Sequence, residues 1–281
     1  GRRAGTFVRA MPEKVYVHKR DNYFQHIEVL KTNRKKRTQY NEFYTEGVKV
    51  VDAMLAHDWE VTGIYYQEEQ PLSDWAKNHI QQCKAPHYIL TPELLAELSE
   101  KEETSELLFT AKMKEDRLER IPVHDKMLLV VFDRPASPGN LGSSLRSCDA
   151  FGVDGVIITG HAADIYDPFA IRGSMGTLFT QNVIREQSST TLVNWISELR
   201  SDFPKLKVLG TSAKADISLV DFKSGPQPII LLVGNETYGL SKGLKELSDE
   251  MLSIPMGGWA SSLNVSCALS VALYQIRSTR S

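Results

Sequence analysis

Short apolar runs alternate with stretches of helical periodicity along the second half of the chain. The runs are rich in Val, Ile and Leu and lack a polar face, which is typical of strands buried on both sides in a parallel sheet. The pattern predicts an α/β domain over 126–281 with a mostly parallel sheet and helices on both faces. The predicted strands are 127–132, 155–159, 206–209, 229–233 and 251–254, and the predicted helices are 140–151, 167–173, 192–199 and 263–276.

The first half of the chain has a similar but less regular alternation. Phe24, Ile27 and Leu30 share one predicted helical face, and a short strand is predicted to end at Gly47. This pattern predicts a small α/β/α domain over 21–112, a flexible basic tail over 1–20 and a linker over 113–125. The further predicted strands are 61–66, 87–90 and 107–109, and the further predicted helices begin near 48, 72 and 92.

Composition sets broad limits on the class of protein. A chain of 281 residues with 42% hydrophobic and 24% charged residues is ordinary for two modest globular domains. Because no apolar run reaches about eighteen residues, no membrane span is expected. The expected location is the cytoplasm, with an organelle as the alternative, since residues 1–14 are compatible with a residual tag, a tail or a trimmed leader.

Charge and cysteine content narrow the chemistry further. The net charge is −2, yet residues 1–50 hold twelve lysines and arginines against five acids. The dense basic cluster from Lys31 to Arg37 has two interpretations, a solvated helix end or RNA phosphate contact through Lys35, Lys36 and Arg37. The three cysteines lack metal-ligand spacing, which indicates reduced, buried structural thiols and no metal site.

Two predicted strands near the C-terminus end in glycine-bearing loops. The apolar run 229–233 stops at Gly234, and the run 251–254 stops at Pro255. Ser261 and Ser262 are predicted to cap the helix that follows. Ligands bind at the carboxyl ends of strands in open α/β sheets, so these loops predict a small-molecule pocket built largely from backbone. A nicotinamide dehydrogenase is excluded, because no GxGxxG follows a strand.

Three strings in the second half of the chain are far more specific than the pattern of apolar runs. They are NLGSSLR at 140–146, GNETYGLS at 234–241 and IPMGGWASSLNVSCALSVAL at 254–273. In this order and spacing they resemble the three motifs of the SpoU/TrmH branch of the SPOUT RNA methyltransferases. The string EFYTEGVKVVDAML at 42–55 resembles the RNA substrate-binding domain that precedes the catalytic domain in many of these enzymes.

The resemblance implies a fold, a reaction and a set of site residues. It implies a C-terminal trefoil knot, pairing as homodimers through the knot region, and methylation of a ribose 2′-hydroxyl in structured RNA from S-adenosylmethionine. Ribosomal RNA is favoured over transfer RNA because the N-terminal domain resembles that of rRNA-modifying members. The implied residues are Asn140, Arg146, Glu236 and Asn264 for catalysis, Thr211, Gly234, Ile254, Met256 and Leu263 for the cofactor, and Ser174 and Ser262 for substrate.

Several interpretations stay open on the residues alone. Arg146 could pair with Asp149 or Asp154 instead of meeting RNA. Ser174 could be a helix cap, and Glu236 could be a cap or an arginine partner. The alternative functions are a tRNA 2′-O-methyltransferase and a non-catalytic RNA-binding or ribosome assembly factor that retains the fold.

Overall fold

The computed structural model describes residues 11–213, 215, 217–258 and 263–281. These residues form two compact units, each with its own sheet. The first takes the described residues up to Val51 together with Asp58–Met113, and the second takes Asp52–His57 together with Lys114–Ser281. None of the helices in the described ranges has the length and apolar composition needed to cross a bilayer.

The first unit is a five-stranded sheet with helices between its strands. The strand order is β1-β4-β3-β5-β2, and all described pairs are parallel except those made by β5. The elements are β1 (Lys14–Val17), α1 (Asn22–Thr32), α2 (Arg34–Tyr40), β2 (Glu42–Glu46), α3 (Val48–Ala56), β3 (Val61–Gln67), α4 (Asp74–Gln82), β4 (His87–Leu90), α5 (Pro92–Leu98) and β5 (Leu108–Lys112).

One face of this sheet is covered by α1 and α5. The predicted apolar face Phe24, Ile27 and Leu30 is buried there, and so are the leucines of α5. Helix α5 begins where predicted, with Thr91 accepting a hydrogen bond from the N–H of Leu94 and Pro92 in the first turn. The interpretation of residues 1–20 as a loose tail is wrong for β1, which pairs in parallel with β4.

The second unit is a seven-stranded parallel sheet. Its strand order is β10-β12-β9-β11-β6-β7-β8, and every described pairing is parallel. The elements are β6 (Leu128–Asp133), α6 (Pro138–Ala150), β7 (Gly155–Thr159), α7 (Pro168–Gly173), α8 (Thr177–Thr180), β8 (Val183–Glu186), α9 (Ser189–Asp202), β9 (Lys207–Thr211), β10 (Ile217–Ser218), β11 (Ile229–Val233), α10 (Lys242–Leu247), β12 (Glu250–Ser253) and α11 (Val265–Ser278), with short 3₁₀ turns at Leu118–Arg120 and Leu219–Asp221.

Helices cover both faces of the seven-stranded sheet, as the continuous apolar runs predict. Strands β6, β7 and β11 are buried at every residue. Leu129 and Val131 face the side covered by α9 and α10. Phe132 faces the other side, where it meets α6 and the start of α11. The prediction of an α/β fold with a mostly parallel sheet is therefore confirmed.

Two local predictions in the second unit are wrong. Helix α6 begins at Pro138 and not at the predicted residue 140, because proline is well tolerated in the first helical turn, where the N–H has no partner. The predicted linker 113–125 is packed instead of free. Within it, Ile121 is buried in the core and Asp116 pairs with Arg185 at 2.9 Å.

Candidate active site

A cleft of about 700 Å³ opens at the carboxyl ends of β9, β11 and β12, next to the start of α11. Its lining contains all five residues predicted to bind the cofactor and three of the four predicted for catalysis. It also contains residues that the sequence interpretation missed, because their position depends on how the strands lie side by side. The predicted lining residues are Thr211, Gly234, Ile254, Met256, Leu263, Asn140, Glu236 and Asn264, and the missed ones include Leu240, Lys245, Met251, Leu252, Ala268 and Leu269.

The loop after β11 folds tightly back on itself at the edge of the cleft. A Cβ added to Gly234 would lie 2.5 Å from the carbonyl carbon of Gly239 and 2.6 Å from the nitrogen of Leu240, so only glycine fits there. Gly239 has φ +68°, a conformation that favours glycine. The side-chain oxygen of Asn235 accepts hydrogen bonds from the N–H groups of Thr237 and Tyr238, at 2.9 and 3.0 Å.

An acidic and a basic residue at the end of β6 anchor this loop. Asp133 is 2% exposed and accepts a hydrogen bond from the N–H of Ser241 at 2.7 Å. Arg134 donates to Asp133 and to the carbonyl of Gly239, and its own carbonyl accepts from the Asn235 side chain at 2.6 Å. The sequence interpretation missed this network, although a carboxylate directly after a buried strand was an available signal.

Asn264 connects the first and third motifs. Its Nδ2 donates to Oδ1 of Asn140 at 3.1 Å. Its own Oδ1 accepts from the N–H of Ser266 at 2.9 Å, so Asn264 is the N-cap of α11. The helix therefore begins at Val265, later than the predicted start at 263. The two residues predicted as caps are Ser261 and Ser262. Both serines lie outside the described residues.

Glu236 joins the second motif to the chain segment before α6. Its Oε2 accepts a hydrogen bond from the N–H of Ala136 at 3.0 Å, and its side chain is otherwise exposed to the cleft. The residue is neither a helix cap nor an arginine partner within the described chain. Its carboxylate fixes the segment that leads into Asn140 and shares the lining of the cleft with Asn140 and Asn264.

Arg146 lies outside the cleft, on the exposed face of α6. It forms no ion pair with either predicted structural partner. Asp149 accepts from the hydroxyl of Thr180, and Asp154 accepts from the N–H of Leu128 and lies 3.3 Å from His124. The described structure thus leaves the guanidinium available to a ligand or to a second molecule.

Comparisons with known proteins agree with this geometry. Residues 127–274 match the SpoU rRNA Methylase family, and residues 21–109 match the SpoU L30e-like domain. The chain belongs to the SpoU rRNA methylase family.

Several members of the family are similar over nearly the whole chain. A 23S rRNA (uridine(2479)-2′-O)-methyltransferase from Streptomyces viridochromogenes is 40% identical over 91% of this chain and 89% of its own. A 23S rRNA (guanosine(2553)-2′-O)-methyltransferase from Bacillus subtilis is 29% identical over 87% and 92%. The SpoU methyltransferase AviRb from S. viridochromogenes, solved in complex with the cofactor AdoMet, superposes with a TM-score of 0.87 at 40% identity, covering 92% of this chain and 98% of its own.

Of the substrate residues predicted for this SpoU family member, Ser174 lies inside the protein. It is fully buried, and its hydroxyl donates to the carbonyl of Ile171 at 2.8 Å and accepts from the N–H of Leu178 at 3.3 Å. Both contacts hold the turn between α7 and α8. The predicted substrate contact is therefore wrong for Ser174, and the alternative prediction of a helix cap is the one that fits its hydrogen bonds.

The basic cluster of the first unit divides into structural and surface residues. Arg37 is 3% exposed, and its guanidinium donates to the carbonyls of Leu30 and Lys31 at the end of α1. The predicted RNA contact of Arg37 is therefore wrong, because the side chain reaches the core. Lys35 is exposed, and Lys36 lies half-exposed with its Nζ 5.9 Å from the centre of the Tyr40 ring.

In the described part of the chain, no group of three or more His, Cys, Asp or Glu residues is placed to hold a metal ion. Cys148 is buried in α6, and burial raises the pKa of its thiol. Cys267 is exposed on α11, so the prediction of a buried thiol is wrong there. The sequence could not predict which face of α11 carries Cys267, because the predicted helix start at 263 differs from the observed start at Val265.

Proposed function

We propose that this protein transfers a methyl group from S-adenosylmethionine to a ribose 2′-hydroxyl of ribosomal RNA. The observation that carries the proposal is the single cleft that gathers residues of all three motifs, from Asn140 through Gly234 to Asn264. The 23S rRNA methyltransferases from S. viridochromogenes and B. subtilis, which are similar over most of this chain, support the substrate class.

The cleft suits a nucleoside cofactor. Its volume of about 700 Å³ lies within the range of about 300–1,000 Å³ typical of cofactor sites. Apolar side chains including Ile254, Met256 and Leu263 can cover an adenine ring, while main-chain groups around Gly234 and Thr211 can bind its polar edge and the methionine end. The missing Cβ at Gly234 lets the loop backbone at Gly239 and Leu240 fold against it, which shapes this side of the cleft. S-adenosylmethionine supplies the electrophilic methyl group.

The protein must place the hydroxyl in line with that methyl and assist loss of the hydroxyl proton. The amide pair of Asn140 and Asn264 stands at the mouth of the cleft and can hold the ribose by hydrogen bonds. Glu236 maintains the segment that carries Asn140. An arginine stays protonated in proteins, so Arg146 is assigned to orient phosphate and ribose and to stabilise charge developing on the oxygen.

The position of Arg146 supports a homodimer, because the residue lies outside the cleft of its own chain. Helices α6 and α11 pack side by side, with Ser147 and Ser270 in hydrogen-bond contact. On α11, which packs against the helix that carries Arg146, Val271 is 42% and Tyr274 is 64% exposed. A second copy packed on this surface would bury the apolar side chains and bring Arg146 to substrate. The family's trefoil knot forms part of the same proposal.

The first unit is proposed to bind the RNA substrate. Its match to the SpoU L30e-like domain over 21–109 supports the assignment of 21–112 to RNA binding and 126–281 to methyl transfer. Lys35 and Lys36 remain the candidates for phosphate contact on its surface. Since rRNA is modified where ribosomes are assembled, the proposed location is the cytoplasm or an organelle with its own ribosomes.

Calorimetric titration with S-adenosylmethionine tests the cofactor site. We expect micromolar binding to the wild type and none to Leu263→Arg, whose longer charged side chain would enter the cleft. In a methylation assay with 23S rRNA transcript, Arg146→Lys should lose most activity and keep cofactor affinity, since lysine lacks the bidentate fork. Wild-type turnover by Arg146→Lys would remove Arg146 from the mechanism.

The experiment also distinguishes the alternative functions. An absence of cofactor binding with and without RNA would favour a non-catalytic assembly factor. Methylation of tRNA in preference to rRNA would support the tRNA enzyme. Sedimentation of Tyr274→Glu tests the dimer, for which a monomeric variant with intact cofactor binding is the expected result, and a wild-type monomer would contradict it.

A further inference from the structure

Tyr238 is an aromatic side chain held in the open by a rigid loop. Its side chain is 76% exposed. Its backbone N–H is bound by the Asn235 side chain at 3.0 Å, and the loop is closed by paired hydrogen bonds between Asn235 and Gly239 at 2.9 and 3.0 Å. Exposing a large ring to water brings no folding stability. A fixed loop that presents such a ring indicates a surface prepared for a ligand.

The Tyr238 ring belongs to the cleft in which the RNA substrate is proposed to react. Tyr238 lines the cleft together with Glu236, Asn264 and Lys245. Among the described lining residues, Tyr238 is the sole aromatic side chain and Lys245 the sole cation. Lys245 is exposed on α10 and has no ion-pair partner in the described part of the chain. A flat apolar ring and a cation at one opening match a base and a phosphate of a nucleotide.

We propose that Tyr238 stacks on an unpaired base of the RNA at or next to the methylated nucleotide, and that Lys245 binds a neighbouring phosphate. This inference rests on the proposed function, because a 2′-hydroxyl can reach the cleft only if its own nucleotide lies at the opening. Aromatic side chains commonly hold unstacked bases of structured RNA. Tyrosine does so with little loss of side-chain entropy, because it has two rotatable angles.

The cofactor's adenine is a less suitable partner for Tyr238. Cofactors are usually buried over most of their surface. Leu240, Leu252 and Leu269 are at most 5% exposed and line the same cleft, so they can complete the burial of an adenine covered by Ile254, Met256 and Leu263. Tyr238 lines the same cleft but is 76% exposed to solvent, which suits a base delivered by a large substrate.

The test compares Tyr238→Ala and Tyr238→Phe with the wild type in RNA affinity and methyl transfer. The probe is a 23S rRNA transcript, and affinity is measured by filter binding with saturating S-adenosylmethionine. For Tyr238→Ala we expect the RNA Kd and KM to rise about tenfold, with kcat and cofactor Kd nearly unchanged. Tyr238→Phe keeps the ring and should restore wild-type values. Val220→Ala, also at an exposed apolar position, is the matched control and should change nothing.

Lys245→Ala provides a second, independent measurement. It should weaken RNA binding and reduce the slope of log affinity against log salt concentration by about one, while Tyr238→Ala leaves that slope unchanged. An unchanged slope would exclude the phosphate contact.

The outcomes separate this inference from the proposed function. Equal RNA affinity of Tyr238→Ala and the wild type overturns the stacking role, whether or not methylation is detected. A higher cofactor Kd in Tyr238→Ala overturns it in favour of an adenine contact. RNA binding that depends on Tyr238 without any methyl transfer by the wild type supports the stacking surface and overturns the enzymatic function. A wild type that does not bind the transcript overturns both.

Discussion

Asn264 performs two separable tasks, and substitution can test each one. Its Oδ1 caps α11 through the N–H of Ser266, and its Nδ2 donates to Asn140. Asn264→Ser keeps a good capping group but is too short to replace the amide donor. Asn264→Ala removes both interactions. Asn140→Ala removes the contact from the other side and leaves the cap of α11 in place.

The expected magnitudes follow from these contacts. Loss of an N-cap costs about 0.5–2 kcal/mol of stability, and an amide hydrogen bond contributes about 0.5–1.5 kcal/mol, with the lower values expected for the exposed Asn264. Asn264→Ala should therefore lose about 1–2 kcal/mol. At about 2–4 °C per kcal/mol for a unit of this size, Tm should fall by about 2–8 °C. Asn264→Ser should stay within about 0.5 kcal/mol of the wild type.

Scanning calorimetry, cofactor titration and methyl transfer are measured on the same preparations. Asn264→Ser and Asn140→Ala should both lose at least about tenfold in kcat, corresponding to about 1.4 kcal/mol, and the double variant should lose little more. Stability of Asn264→Ala equal to that of the wild type would refute the capping argument. Wild-type turnover by Asn264→Ser would show that the amide pair has no role in the reaction.

Two further predictions concern the first unit. Arg37→Ala should lower the free energy of unfolding by about 2–4 kcal/mol, because the carbonyls of Leu30 and Lys31 lose their donor. The control Lys35→Ala, at an exposed position, should stay within about 0.5 kcal/mol of the wild type in urea denaturation. Equal stability of Arg37→Ala and Lys35→Ala would contradict the structural role of Arg37. Burial pushes the pKa of Glu42 upward, but hydrogen bonds from His26 and Thr62 outweigh it and hold the pKa below 4.5. The wild type should therefore be more stable than Glu42→Gln above pH 4.5, and this extra stability should disappear as the pH falls through the lower folded pKa of Glu42. A stability difference that is equal at pH 7 and pH 3 would rule out this contribution of Glu42.

The helical faces and buried strands could be predicted because each depends on neighbours within one element. Phe24, Ile27 and Leu30 repeat at helical spacing and are buried as predicted. The run 229–233 has no polar face and lies in the interior of the sheet. By contrast, β1 has only four residues and lies at a sheet edge among polar neighbours, so its alternation was too short to predict a strand.

Whether an individual polar side chain is buried or exposed could be determined only from the tertiary structure. Arg37 and Lys35 lie in one basic string, yet one reaches the core and the other faces solvent. The family resemblance implies Ser174 as a substrate residue, but its hydroxyl donates to one local backbone group and accepts from another. Composition cannot distinguish these cases, because the direction of a side chain depends on the helix start and on the element packed against it.

The sequence by itself determined the family, the class of reaction and the strand-end loops that carry the motifs, because glycines, prolines and apolar runs act through local backbone geometry. Tertiary structure decided which of the motif residues meet. It placed Asn140 against Asn264 and gathered Thr211, Gly234 and Ile254 in one cleft, but it left Arg146 outside. The physical reason is that parallel strands distant in sequence bring their carboxyl ends to one edge of the sheet, and their order follows from packing between elements.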